Sequence, residues 1–248
     1  MITIKTAEEV KIMAESGKIL ATVLKELEKM VKPGVTTLEL DRAAEVLILS
    51  MGGKPAFKNY NGFPYSLCAS INEVVVHGYP SNYILREGDI IGLDLGVLYK
   101  GYYSDSAITV AVGKVSFEAK RLIMVTKKAL RYGIKKSKVG NTIGDIGNTI
   151  QRYIETQNYG IVRELCGHGI GKKLHEDPQI LNFGKRDTGP ALKEGMVICI
   201  EPMITIGSPI LKKAKDGYGY ATKDGSLSAH FEHTIAITKD GPVVLTEL

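Results

Sequence analysis

Leu85-Arg-Glu-Gly-Asp-Ile-Ile-Gly-Leu-Asp94-Leu-Gly-Val97 and Leu192-Lys-Glu-Gly-Met-Val-Ile-Cys-Ile-Glu201-Pro-Met-Ile204 are two versions of one pattern. Each opens on Leu-basic-Glu-Gly, runs into an apolar stretch, and places an acid at the same step, Asp94 over Glu201, at a constant shift of 107 residues. Upstream, Lys32-Pro-Gly34-Val-Thr36-Thr-Leu-Glu39-Leu40 lies over Lys138-Val-Gly140-Asn-Thr142-Ile-Gly-Asp145-Ile146 at a shift of 106. Both copies give a turn glycine and then Thr-x-x-acid, the capping-box opening of a helix. Two matches in the same order at nearly one shift mark an internal duplication, with halves of about 1–110 and 111–248.

Outward from these stretches each half reads helix, helix, strands. Thr6-x-x-Glu9 opens a helix over roughly Ala7–Val31, ended by Pro33-Gly34, and a second covers about Thr37–Met51 before Gly52-Gly53. Their counterparts are Phe117–Lys136 and Ile143–Gln157. Strands are expected at Ser66–His77, and at Asp89–Val97 and Tyr102–Val112 as a hairpin around Lys100-Gly101. The second half offers Ile161–Leu165, Met196–Ile206, a segment near Tyr218–Thr222, and Ser226–Thr238, with turns at the Asp-Gly pairs of Asp216, Asp224 and Asp240. This pattern predicts an α+β fold with a pseudo-twofold axis and a central antiparallel sheet. No Pro/Gly/Ser-rich linker parts the halves, so residues 1–248 are expected to form a single domain with its site between them.

Composition bounds the function. With 44% hydrophobic and 24% charged residues the chain is of ordinary soluble type, and its apolar stretches fall far short of a membrane span. Acids in Met1-Ile-Thr-Ile-Lys-Thr-Ala-Glu-Glu9 stand where a secretory signal needs apolar residues. A net charge of +5 without a polybasic block argues against a nucleic-acid partner. Cys68, Cys166 and Cys199 are odd in number and form no C-x-x-C pair, which reads as reduced thiols in the cytoplasm.

Four acids interrupt or flank the apolar strands: Asp94, Asp105, Glu201 and Glu232. A lone strand acid usually faces water or an ion pair. A carboxylate among apolar neighbours must be paired, protonated or metal-bound, because burying it bare costs several kcal/mol. Asp105 follows Asp94 across the hairpin and shares its face, and Glu232 does the same for the second half. Four carboxylates facing one another ask for cations. Of five histidines, His168 in Cys166-Gly-His-Gly-Ile-Gly171 has a glycine-flanked loop giving its ring room to approach an ion; His77 and His175 are further candidates. Glu176 and Asp177, before Pro178, read as loop and turn residues. Four acids and one imidazole suit two hard or borderline divalent ions, hence metal-assisted hydrolysis, with the substrate left unnamed.

Asp94, Asp105, His168 in Cys-Gly-His-Gly-Ile-Gly, Glu201 in Ile-Glu-Pro-Met and Glu232 in Ser-Ala-His-Phe-Glu-His-Thr resemble the ligand set of the bacterial type I methionine aminopeptidases. Asn61-Gly-Phe-Pro64, Ser70-Ile-Asn-Glu-Val-Val-Val-His-Gly78 and Leu174-His-Glu-Asp-Pro178 extend the likeness nearly end to end. The resemblance implies the pita-bread fold and removal of N-terminal Met from nascent polypeptides, with a small second residue preferred. It implies two ions per chain (Co, Mn, Fe or Zn) held by the five ligands, with Asp105 and Glu232 bridging. Glu201 would also accept the proton of the attacking water, His175 steady the oxyanion, and His77 hydrogen-bond near the amide nitrogen. The Met pocket would use Tyr60, Phe63, Cys68, Leu174 and Tyr218. A cytoplasmic monomer working at the ribosome is the implied setting. The chain departs from the resemblance at Phe57, Leu174, Tyr218 and His230. Competing expectations are a proline-directed peptidase on the same fold, and a non-catalytic binding module, which would be expected to have lost ligands.

Overall fold

The computed structural model describes residues 1–248. Four helices occur close to their expected places: α1 Ala7–Met30, α2 Thr37–Ser50, α3 Phe117–Lys136 and α4 Ile143–Thr156. Thr6 with Glu9, Thr36 with Glu39, and Thr142 with Asp145 each form a reciprocal capping box, so orphan N–H groups are satisfied locally. The first-half strands are β1 Lys54–Pro55, β2 Leu67–Ile71, β3 Val74–Val76, β4 Ile90–Tyr99 and β5 Tyr102–Ala111. After them come β6 Gly160–Ile161, β7 Gly167–Gly169, β8 Glu176–Ile180, β9 Val197–Ile200 and β10 Met203–Thr205. The last are β11 Leu211–Lys213, β12 Tyr220–Thr222, β13 Ser228–His230, β14 Glu232–Thr238 and β15 Gly241–Val244.

One antiparallel sheet runs β1-β4-β5-β14-β9-β7-β8, with β2 also on β4 and β15 on β14; the halves meet where β5 pairs β14. The β4–β5 hairpin turns at Lys100 (φ 47°) and Gly101 (φ 83°), a two-residue turn whose left-handed backbone matches strand twist. Short three-stranded sheets, β13-β10-β6 and β11-β12-β3, flank the main one.

Each helix pair covers one half of the sheet. Ile91, Leu93, Leu95 and Val97 pack with Leu20, Leu24 and Leu27 of α1 and Leu40 and Ile48 of α2. In the other half, Ile198, Ile200, Ile235 and Ile237 pack with Leu122 and Val125 of α3 and Ile146 and Ile150 of α4. Burying one such side chain contributes roughly 1.5–3 kcal/mol. Strand alternation therefore fixes register and sends Asp94, Glu201 and Glu232 to the opposite face; a one-residue slip would drive the acids into these cores.

Three long strand expectations prove to be broken strands. Ser66–His77 divides at Asn72 (φ 53°), Met196–Ile206 at Glu201-Pro202, and Ser226–Thr238 at Phe231, each break passing the chain from the main sheet to a small one or back. Of Ile161–Leu165 only Ile161 is strand, as the end of β6. Glu176 and Asp177 begin β8 and do not form a loop, and His168 lies in the centre of β7.

Candidate metal centre

Cys68, Asp94, Ala107 and Glu232 form one row across β2, β4, β5 and β14. Ala107 keeps the space between the two acids open, and Asp105, two residues earlier on the same face, stands opposite Gly96. Carboxylate oxygens of Asp94, Asp105 and Glu232 lie within 4.8 Å of one another. His168 comes from β7 with Nε2 3.9 Å from Asp105 Oδ2, 3.8 Å from Glu201 Oε1 and 3.9 Å from Glu232 Oε1. Its Nδ1 is 2.9 Å from the Gly169 carbonyl. Donation there puts the proton on Nδ1 and leaves the Nε2 lone pair facing the acids, the tautomer a metal ligand needs. Gly167 and Gly169 serve strand packing, since a Cβ at either would overlap the carbonyl of Cys199 or Asp177; sequence spacing had suggested room for the ring.

Glu201 follows β9 at the break that Pro202 imposes, and Asn182 Nδ2 donates to its carbonyl at 3.0 Å. The neighbouring break at Phe231 is held to it by Phe231 N–H donating to Pro202 O at 3.4 Å. Two threonines then clamp the ligand strands together. Thr234 Oγ accepts from Asp105 N at 2.9 Å and donates to Asp105 O at 2.7 Å; Thr109 Oγ does the same for His230, at 2.9 and 2.8 Å. Thr234→Val keeps the shape but leaves both Asp105 main-chain groups buried and unpaired. The expected cost is about 1–3 kcal/mol per group left unsatisfied, read as a lower urea midpoint.

The electrostatics of the centre are those of a site built for positive charge. Asp94 Oδ1, Asp105 Oδ1 and Glu232 Oε1 are buried without any hydrogen-bond partner. Burial lifts Asp94 to about 7, with Glu201 adding to the rise and His230 opposing it. Burial, and then repulsion from Asp94 and Glu201, lifts Asp105 well above the usual carboxylate range; burial and Asp105 do the same for Glu232. Orphaned buried oxygens on mutually repelling acids, beside an imidazole nitrogen in its ligand tautomer, fit divalent cations of hard or borderline character. Cys199 also approaches His168 and Glu232, but burial keeps its thiol protonated and Thr234 Oγ lies 3.4 Å from its sulfur.

A cavity of about 740 Å³ opens onto these groups, and every side chain expected at the site lines it: the four acids and His168 above, His77, His175, Tyr60, Phe63, Cys68, Leu174 and Tyr218. Tyr60 Oη is 2.8 Å from His175 Nδ1. Burial raises the phenol, so it remains a neutral donor, and the His175 proton is left on Nε2. Burial and the adjacent His168 hold His175 at about 4, neutral at physiological pH. Burial likewise lowers His77, whose backbone sits in the left-handed region at φ 60°. Phe63 packs at 5.3 Å from Tyr218, which stacks on Tyr79 at 4.9 Å to form an aromatic wall. Sequence reading missed two features. One is Lys5, whose Nζ meets Glu176 Oε2 at 2.9 Å in a nearly buried pair next to His175; no local pattern joins residues so far apart. The other is His230, noted only as a departure although it brings a ring nitrogen within 4.8 Å of Glu201 and Glu232 oxygens.

Residues 11–239 match the profile of metallopeptidase family M24. The chain belongs to metallopeptidase family M24. Within it, the chain is 48% identical to the methionine aminopeptidase of Clostridium perfringens, over 99% of both chains. It superposes on the crystal structure of methionine aminopeptidase from Rickettsia prowazekii with a TM-score of 0.97 and 45% identity, covering 99% of this chain and 100% of that one. Prolidase from Pyrococcus furiosus shares the fold at a TM-score of 0.80 and 27% identity, but this chain covers only 65% of it. The fold is thus the pita-bread fold of these M24 enzymes, and the centre is that of a hydrolase using divalent metal.

Proposed function

We propose that this protein is a metal-dependent methionine aminopeptidase, which removes N-terminal Met from peptides and nascent chains and prefers a small second residue. The observation that carries this reading is the trio of unpartnered buried carboxylates beside His168 at the inner end of an aromatic-walled cavity. Asp94, Asp105, His168, Glu201 and Glu232 would hold two divalent ions drawn from Co, Mn, Fe or Zn, with cellular supply deciding the metal. When bound, such ions lower the pKa of a water towards neutrality and polarise a carbonyl. Tyr60, Phe63, Cys68, Leu174 and Tyr218 would receive the Met side chain, and the acids would draw its free α-amine, which makes the reaction exopeptidic. Glu201 accepts the proton of the attacking water. His175, neutral and with its proton on Nε2, donates to the developing oxyanion without a change of protonation. His77 donates near the scissile amide nitrogen. The substrate chain leaves past these two rings, which favours a small second residue.

No helix is long and apolar enough to cross a membrane. The reading takes the chain as one catalytic domain, a monomer acting in the cytoplasm where N-termini leave the ribosome. Met-Ala-Ser and Leu-Ala-Ser, with and without metal after chelation, test the function. Metal-dependent release of Met and little release of Leu is expected; equal rates would remove the specificity. His175→Ala should lower kcat by about 10²–10³ with a small change in KM, as for loss of one oxyanion donor. Steady-state kinetics on Met-Ala-Ser measure it, and a near-normal kcat would take that role from His175.

A further inference from the structure

His230 is the imidazole of the centre that the reaction above leaves without a task. It ends β13, two residues before Glu232 opens β14, while Phe231 at the break between them packs into the α3–α4 core. The ring is 3% exposed and does not line the cavity, so it stands behind the site, out of reach of substrate. Its Nε2 is buried with no hydrogen-bond partner and lies 3.5 Å from Glu201 Oε2, at the long limit of a hydrogen bond. The other oxygen of the same carboxylate, Oε1, is 3.8 Å from His168 Nε2. One imidazole thus faces each oxygen of Glu201. The main chain of His230 cannot drift, because Thr109 Oγ grips both its N–H and its carbonyl, and β13 pairs it with Met203, two residues after Glu201.

We propose that His230 is a positioning residue, which holds Oε2 of Glu201 through Nε2–H and so presents Oε1 to the cation beside His168. The proposal rests on the metal reading above. Glu201 sits just past a strand end, where its backbone alone does not fix the carboxylate, and it is the ligand that must also take up a proton. A direct ligand role is the competing arrangement, since His230, Glu201 and Glu232 offer atoms within 4.8 Å of one another. The withdrawn position of the ring, outside the cavity that the four acids and His168 line, favours support.

The test uses chelator-stripped protein, titrated with Mn²⁺ by calorimetry and with Co²⁺ by visible absorption, as wild type, His230→Gln and His230→Leu, with a thermal melt of each. Gln supplies an amide N–H at similar reach; Leu supplies none. Leu is expected to weaken Mn²⁺ binding about 10–100-fold, the usual consequence of losing a group that orients a ligand, while Gln stays within about threefold of wild type. The Co²⁺ band should be unchanged in Gln. Should Leu fail to fold, His230→Asn, too short to reach Glu201, is expected to show the same weakening. Equal affinity in all variants overturns the proposal. Equal loss in Gln and Leu with a shifted Co²⁺ band makes His230 a ligand and overturns it too. A wild type that binds neither ion overturns the metal reading itself.

Discussion

Asp105→Asn is expected to lower kcat/KM for Met-Ala-Ser by about 10⁴-fold or more, the scale seen when one member of a catalytic unit is lost. In chelated protein the same substitution should raise thermal stability at pH 8. The two effects have one cause. Asp105 lies at the middle of the centre, opposite Gly96 and beside Thr234, and its carboxylate faces Asp94, Glu232 and His168. Without cations this carboxylate is lifted well above its ordinary range by burial and by Asp94 and Glu201, so the folded chain resists ionising it. Asn has nearly the same shape, keeps the main-chain clamp of Thr234, and carries no charge to bury. As pH falls to 4.5, close to the unfolded carboxylate range, the folded chain has little left to resist, and the gap between wild type and variant should shrink to about 1 kcal/mol or less. Urea denaturation with chelator at pH 4.5 and pH 8, beside kinetics with added Mn²⁺, measures both arms. Loss of activity with no gain in metal-free stability at pH 8 would mean that Asp105 is not held against its charge.

Chelated wild-type protein should lose stability as pH rises from 6.5 to 9, and bound divalent metal should remove most of that loss. The folded-state values of Asp94, Asp105 and Glu232 are raised, so the stability they contribute is complete below the unfolded carboxylate range near 4 and is lost as pH climbs through the folded values. For Asp94 the loss is complete above about 7; for the other two it continues higher. Each acid still protonated in the folded chain costs about 1.4 kcal/mol per pH unit. The lowered histidines, His77, His175 and His233, act in the other direction up to about pH 7.5, where the unfolded chain still protonates them in part and the folded chain does not. Above about pH 7.5 they are neutral in both states and drop out. Urea midpoints at pH 6.5, 7.5 and 9, with chelator and with Mn²⁺, read the slope. A metal-free midpoint that is flat or rising over that window contradicts this account.

The sequence carried the parts of this structure that local physics determines. Thr6, Thr36 and Thr142 announced their helices because a capping box is written within four residues, and Lys100-Gly101 announced the hairpin because its turn needs left-handed backbone. Asp94, Asp105, Glu201 and Glu232 stood out because acids inside apolar strands demand compensation. The breaks at Asn72, Pro202 and Phe231 were hidden, since β-type residues continue on both sides and the change of sheet is decided by partners far along the chain. Lys5 with Glu176, and Thr109 with His230, depend on contacts more than a hundred residues apart and leave no local trace. The glycines around His168 were visible but misread: their reason is the closeness of Cys199 and Asp177 on neighbouring strands, which only the packed sheet reveals.

The central claim is that divalent cations compensate the buried acids. Anomalous diffraction from crystals grown with Mn²⁺, recorded near the manganese edge, addresses it most directly. Strong peaks should lie among Asp94, Asp105, Glu232, His168 and Glu201. Density without such a peak there at saturating Mn²⁺, or with manganese only at surface acids, would contradict the account.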